Sequence, residues 1–401
     1  MLQKTLYRCS LGLLSLCLMV RPLLDAALFP AWSTSIDAAL LASAGVLIFL
    51  RIRHMFSVLH DLRYPLIAWA LALLIGLSLH HISTHGWRDL TALAAGPIVL
   101  CAAALTWGPY RRWLLHGILV VASLISAFAI WQSLVILPKL ASHTVGATAG
   151  SLQALLHEVA SRGRPLGTFV LPTLLAGYLL LIIPLALCEC FRPTPAPWVR
   201  ALRWASFVLA STAWILARSL GAWLSLVVAC LIVSLIMGHR LPRWARASFV
   251  MIALLAVVLM VCGRPQVWTY TNAHNPIHNR LVYWDAAQHL IAEHPITGLG
   301  PGTFEEGYRR VTTQPQLGVK YAHNTYLQLW VEWGLFGLLA WGWLVGVILR
   351  RTTRVNPWIA IALWALPLHN VVDFSFYVPQ VSLLWWYLAG WSLRLPSRIR
   401  Y

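Results

Sequence analysis

The sequence predicts an all-α, polytopic integral membrane protein with about twelve transmembrane helices, and three observations lead there. Hydrophobic residues make up 59% of the 401 and charged residues only 10%, and mean hydropathy is +0.71. Soluble domains carry about a quarter charged residues, so a soluble reading fails. Apolar windows of spanning length recur along the whole chain. Basic clusters fall in every second connection between them.

A hydrocarbon core about 30 Å thick needs about 20 apolar residues per helix. Twelve windows fit, at 10–30, 34–50, 64–80, 89–107, 113–137, 168–190, 199–217, 220–237, 246–262, 324–349, 356–372 and 378–394. The first is interrupted by Arg21, Pro22 and Asp25. No small-residue cleavage site follows it, so it reads as a retained anchor rather than a signal peptide.

Orientation follows from Lys and Arg, which hold short loops on the cytoplasmic side. The basic connections are Lys4 and Arg8; Arg51, Arg53 and Arg63; Arg111 and Arg112; Arg192, Arg200 and Arg203; Arg240, Arg243 and Arg246; Arg350, Arg351 and Arg354; and Arg394, Arg398 and Arg400. The alternation implies an even number of spans with both termini cytoplasmic. It also accounts for most of the formal +18 charge through contact with anionic membrane lipid, so no nucleic-acid partner is required.

The opposite side carries charges that topology does not demand. They lie in a smaller outer loop, 138–167 (Lys139, Arg162, Arg164), in a large one, 263–323 (Arg264, Arg280, Arg309, Arg310, Lys320), and at Arg218 between two spans. Asp285, Glu293, Glu305 and Glu306 are on this side too. Residues 1–401 thus read as a single transmembrane domain whose chemistry sits in its outer loops. Within the large loop, 278–293 places Leu281, Trp284 and Ile291 on one helical face, as expected of a helix lying along the membrane interface. It ends at His294-Pro295, and Gly298, Gly300 and Gly302 predict a flexible turn. All seven cysteines lie in or beside apolar spans, which argues against a disulfide framework.

An Arg between two spans, such as Arg218, either faces a polar cavity or snorkels outward. Arg164 and Arg280 are as ambiguous singly, but together the three supply planar forks suited to a phosphate. The 3 Lys against 27 Arg do not identify such a site, because the cytoplasmic loops share the bias. His323 opens the tenth span, where an imidazole is placed either to accept a proton near pH 7 or to hydrogen-bond a loop carbonyl. His274 and His278 have metal-ligand spacing, but Pro276 between them breaks the helix such a pair needs, so no metal and no cofactor are expected.

The run Arg280-Leu-Val-Tyr-Trp284, then His294-Pro-Ile-Thr-Gly-Leu-Gly-Pro-Gly-Thr-Phe304, Tyr308, His323-Asn324 and Gly334 resembles the signature of the O-antigen ligase/polymerase superfamily. Upstream, Arg164-Pro-Leu-Gly-Thr-Phe169 and Arg218-Ser-Leu-Gly-Ala-Trp-Leu224 resemble its Arg-x-x-Gly-Thr-Phe segment and its Ser-Arg-Gly-Ala-Trp-Leu turn, with Ser219 and Leu220 intervening before Gly221. The resemblance covers roughly 160–345. It implies a GT-C-like, metal-independent glycosyltransferase of the bacterial inner membrane, working at the periplasmic face on an undecaprenyl-diphosphate-linked glycan. One dominant outer loop makes the chain most similar to the ligases, whose acceptor is the lipid A–core oligosaccharide. The resemblance then implies His323 as general base, Arg218, Arg280 and Arg164 as diphosphate ligands, and Asn324, Trp284 and Tyr321 in support. An O-antigen polymerase or a protein O-oligosaccharyltransferase is the alternative within the superfamily. An anion or glycolipid transporter is the alternative outside it, but the two halves of the chain lack the matching broken spans a transporter would have.

Overall fold

A computed structural model describes residues 2–143, 160–237, 275–312 and 319–393, apart from 26–27, 81, 83, 107–109, 162, 195 and 354, together with the isolated positions 247, 251 and 258. The described residues are helical, with no strand. In chain order the helices are α1 (Leu2–Val20), α2 (Pro30–Leu50), α3 (Ile52–Val58), α4 (Arg63–Leu79), α5 (Thr84–Leu105), α6 (Tyr110–Trp131), α7 (Leu137–His143), α8 (Pro172–Cys190), α9 (Pro197–Leu216), α10 (Leu220–Met237), α11 (Pro276–Glu293), α12 (Phe304–Val311), α13 (Thr325–Thr352), α14 (Pro357–His369) and α15 (Pro379–Ser392). Residues 132–136 join α6 to α7 as one π-helical turn.

The starts of these helices are written in the sequence. Proline opens α2, α8, α9, α11, α14 and α15, where its missing N–H costs nothing and its fixed φ favours the helix. Asn275, Asn324 and Asn356 cap α11, α13 and α14, each accepting from the first-turn amides.

Among the described residues, eight helices are long and apolar enough to cross a membrane, as befits a polytopic membrane protein. Eleven of the twelve expected windows hold a described helix, and the ninth, 246–262, lies outside the described residues except for 247, 251 and 258. The first window is displaced: α1 ends at Val20 because Arg21-Pro22 turn the chain. Arg21 is buried there on Asp37, at 2.6 and 3.2 Å. The last two windows shrink to α14 and α15, of 13 and 14 residues. At 1.5 Å per residue these reach about 20 Å. The connection between them, Asn370–Val378, is mostly buried in the bundle.

Helices α8, α14 and α15 form the centre. They are apolar all round and buried all round, as a helix in the middle of a membrane bundle must be. Helix α8 packs on α9 and α14, α10 packs on α14, and α5 packs on α15. Small residues permit the close approaches. A Cβ on Gly390 would collide with the Leu100 carbonyl, and one on Gly96 would strike the Trp386 indole.

Helix α13 is broken at Gly334, whose φ of 65° and ψ of −173° are non-helical. The turn expected to be flexible is docked against this break. Leu299 and Gly300 donate to the carbonyls of Val331 and Glu332 at 2.8 and 3.0 Å, and Leu335 donates to Pro295 O at 3.0 Å. These bonds satisfy the backbone groups freed by the break, which a membrane interior cannot hydrate. The contact needs glycine on both sides, because a Cβ on Gly334 would lie 1.9 Å from Ile296 O and one on Gly298 2.6 Å from Glu332 O.

Helix α11 forms as expected but turns a different face inward. Tyr283, Ala286, Ala287, Leu290 and Ile291 are buried against Phe304 and Tyr308 of α12, Val319, Ala322 and Val331. Leu281 and Trp284 face elsewhere, into the cavity described next.

Candidate functional site

A cavity of about 680 Å³ opens where the start of α8, the α9–α10 turn, α11 and the end of α14 meet. Its walls are mostly aliphatic, including Val170, Leu224, Val228 and Leu281, and Arg164, Arg280, Trp284 and His323 also line it. Four of the seven sequence-predicted residues therefore converge from segments far apart in the chain.

Each is held by its backbone surroundings. Arg164 precedes Gly167, whose φ is 61°. Gln132, on the π-helical turn, accepts from the amides of Leu166 and Gly167 at 2.8 and 2.9 Å. The Arg164 Nε donates to Ala217 O at 2.9 Å, tying this segment to the residue before Arg218. Arg280, on α11, donates from Nε to Val372 O at 3.0 Å and from Nη1 to Pro276 O at 3.3 Å. Two of its five N–H groups fix the guanidinium, and the rest make no hydrogen bond among the described residues. Burial lowers the pKa of this Arg, which Asp373 partly offsets.

His323 has φ of 50° and Arg218 has φ of 46°; among the described residues they are the non-glycine positions in the left-handed region. Such backbone costs about 1–3 kcal/mol and gathers at functional sites. The His323 ring stacks on Tyr283 at 5.6 Å between centroids and meets Phe374 edge-on at 4.9 Å. Burial, and then the positive charge of Arg280, push its pKa down to about 4, while Asp373 opposes them. The imidazole is thus neutral and able to accept a proton at neutral pH. Its Nδ1 and the Trp284 Nε1 are buried without a hydrogen-bond partner among the described residues.

The other predicted residues serve differently. Arg218 is exposed at the α9–α10 turn; its neighbours Ser219, Leu220 and Gly221 line the cavity, and its own side chain is not part of the wall. Asn324 caps α13 through Tyr326 N and Leu327 N at 3.0 and 3.1 Å. Tyr321 donates to Asp89 at 2.8 Å and stacks on Phe374 at 4.4 Å, so it backs the ring that meets His323. Residues 144–159, 162, 264 and 274, which hold Arg162, Arg264 and His274, lie outside the described residues.

Sequence reading missed Asp373 and His369. Asp373 is fully buried, and its Oδ1 accepts from Phe374 N and Ser375 Oγ, both at 2.8 Å. Its Oδ2 lies 3.6 Å from His369 Nε2. Burial opposes its ionisation, but His369, His323, the Ser375 hydroxyl and Arg280 together hold its pKa below the usual value. His369 Nε2 donates to Thr173 O at 3.3 Å. The ring fits between α8 and α10 because Gly177 and Gly221 leave room, a Cβ on either falling 3.3–3.4 Å from it. An ionisable pair four apart inside an apolar stretch was the available signal.

The acidic residues prominent in the large loop are elsewhere. Glu305 pairs with Arg309 at 2.7 Å, Glu293 with Arg310, and Asp285 approaches His289 at 3.8 Å, all on the exposed surface of α11 and α12.

A helical bundle this apolar, with an aliphatic cavity headed by guanidinium and imidazole groups, is a polytopic membrane protein equipped to hold an anionic lipid-like molecule. Residues 205–342 match the family model described as O-antigen ligase, which supports a likeness of that segment to the O-antigen ligase superfamily. The match covers about a third of the chain and includes Arg218, Arg280 and His323. The superfamily carries a glycosyltransferase-like ligase or polymerase activity. No curated protein matches the chain.

Proposed function

We propose that this protein is an O-antigen ligase. It transfers a glycan from undecaprenyl diphosphate to the lipid A–core oligosaccharide at the periplasmic face of the bacterial inner membrane, with twelve spans and both termini cytoplasmic. The observation that carries the reading is one cavity in which Arg280 and His323 stand at the head of an aliphatic wall. A diphosphate needs the first, an acceptor hydroxyl the second, and a polyprenyl chain the third.

In this reading Arg280 and Arg164 bind the diphosphate oxygens, and Arg218 engages them from the rim. His323 removes the proton from the acceptor hydroxyl as that oxygen attacks the anomeric carbon. The bond from that carbon to the diphosphate oxygen breaks, and its electron pair leaves with the lipid diphosphate. Attack opposite the leaving group inverts the anomeric configuration. The guanidiniums meet the charge that develops on the leaving oxygen, without reorganisation at the moment of reaction. Burial, reinforced by the charge of Arg280, keeps His323 unprotonated before the donor arrives. A bound diphosphate offsets that positive charge and strengthens the base when it is needed.

Reconstitution of the purified protein with a polyprenyl-diphosphate glycan and lipid A–core, with and without a chelator, tests this. Glycan-capped lipid A–core and released polyprenyl diphosphate are expected in both conditions. Glycan elongated on the polyprenyl carrier, with no product on lipid A–core, would make the protein a polymerase. Activity lost in chelator and restored by Mg²⁺ would overturn the metal-independent mechanism.

A further inference from the structure

Within α13, two side chains that the mechanism above does not use hold the residue beside its base. Gln328 Oε1 accepts from the backbone N of Ala322 at 2.7 Å. The same Gln328 donates from Nε2 to Glu332 Oε1 at 2.7 Å. Glu332 Oε1 also accepts from Gly302 N at 3.1 Å, and its Oε2 accepts from Tyr377 OH at 3.2 Å. Both side chains have no exposed surface. A carboxyl group buried at this depth is costly unless fully hydrogen-bonded, and here three donors meet its oxygens.

What the network joins is the argument for its role. Gly302 ends the turn docked on the α13 break, Tyr377 closes the short helix that begins two residues after Asp373, and Ala322 immediately precedes His323. His323 sits in left-handed backbone and makes no hydrogen bond through its Nδ1. Among the described residues its side chain is located by ring packing on Tyr283 and Phe374, and its backbone by the neighbours of the strained position. The Gln328 bond to Ala322 N is the nearest such restraint, and Glu332 fixes Gln328.

We infer that Gln328 and Glu332 are positioning residues for the general base: a buried amide–carboxylate bridge that holds Ala322 so that His323 keeps its strained backbone and faces the cavity. The inference rests on the assignment of His323 as base. A misplacement of about 1 Å at a reacting group costs on the order of 100-fold in rate, so the bridge acts on turnover rather than on donor affinity.

The test uses the full-length protein in proteoliposomes with a polyprenyl-diphosphate glycan donor and a lipid A–core acceptor. Gln328→Leu removes both bonds at similar volume. It is expected to lower turnover about 10- to 100-fold with donor KM unchanged within about twofold, and to have no further effect in a His323→Ala background, because residues that act through one group are not additive. An equal loss in both backgrounds, or a raised donor KM with normal turnover, overturns the inference. Should Gln328→Leu fail to fold, an exchange of the two groups decides. Gln328→Glu alone sets two carboxylates against each other and should lose turnover, whereas Gln328→Glu with Glu332→Gln rebuilds the bridge and should recover most of it. A double variant as impaired as the single one overturns the inference. Normal turnover in His323→Ala alone would instead remove the base assignment beneath it.

Discussion

The two faces of α11 carry charge in opposite ways. Outward, with α12, they hold Glu293, Glu305, Arg309 and Arg310 in exposed pairs, and such pairs contribute about 0–1 kcal/mol each. Inward, the half-buried Arg280 and His323 lie near the fully buried Asp373, and their charges shift one another. Burying those groups costs several kcal/mol before any attraction is returned. An acidic or basic residue in this loop is therefore informative by its surroundings and not by its abundance, and Arg280 and His323 line the cavity.

That contrast is broken most directly by removing the base. His323→Ala is expected to lower turnover about 10²- to 10⁴-fold while polyprenyl-diphosphate binding, measured by equilibrium titration, stays intact. Arg280→Ala should lose donor binding as well as turnover, and Arg280→Lys should restore it only in part, since a point charge lacks the fork. The opposite pattern, with the His variant losing affinity and the Arg variant losing rate alone, would exchange their roles.

Asp373→Asn should come next. It leaves Arg280 without its buried counter-charge, so turnover should fall about 10- to 100-fold, with a small loss of thermal stability. Wild-type activity in this variant would make Asp373 a structural cap for the short helix Ser375–Tyr377.

A smaller effect is expected in the pH profile. His323 has its pKa lowered to about 4, so its basic form persists at neutral pH and is lost as pH falls through that value. The acidic limb of kcat/KM should accordingly lie near pH 4. The limb of kcat should lie higher, because a bound diphosphate anion favours the imidazolium. Arg280→Gln, removing the charge that depresses the imidazole, should move the kcat/KM limb upward; a limb that stays in place would separate the two residues electrostatically. The smallest effect belongs to the outward face, where Glu305→Gln should leave turnover and melting temperature essentially unchanged.

Much of this was legible in the sequence because it is local. Apolar windows, proline starts and asparagine caps locate helices without tertiary information, and Arg164, Arg280, Trp284 and His323 stand in recognisable runs. What was not legible depends on which segments meet. Asp373 lies in the short connection read between the last two spans, and only the packing of that connection into the bundle sets it beside His369 and the His323–Arg280 pair. The Gly298–Gly302 turn reads as flexible from composition alone, since its rigidity comes from the broken α13 more than thirty residues later. Likewise, the inward face of α11 is set by α12 and Val331 rather than by the bilayer.

The buried connection between α14 and α15 also bears on biogenesis. Arg164, Arg280 and His323 are synthesised first, and Asp373 arrives with a late helical hairpin that must insert among helices already made. Until it does, two cationic or titratable groups lack their anion, and α8 lacks the neighbour that covers it. A chain synthesised only as far as residue 369 would lack both the carboxyl group whose charge couples to Arg280 and His323 and the last helix packed against α8.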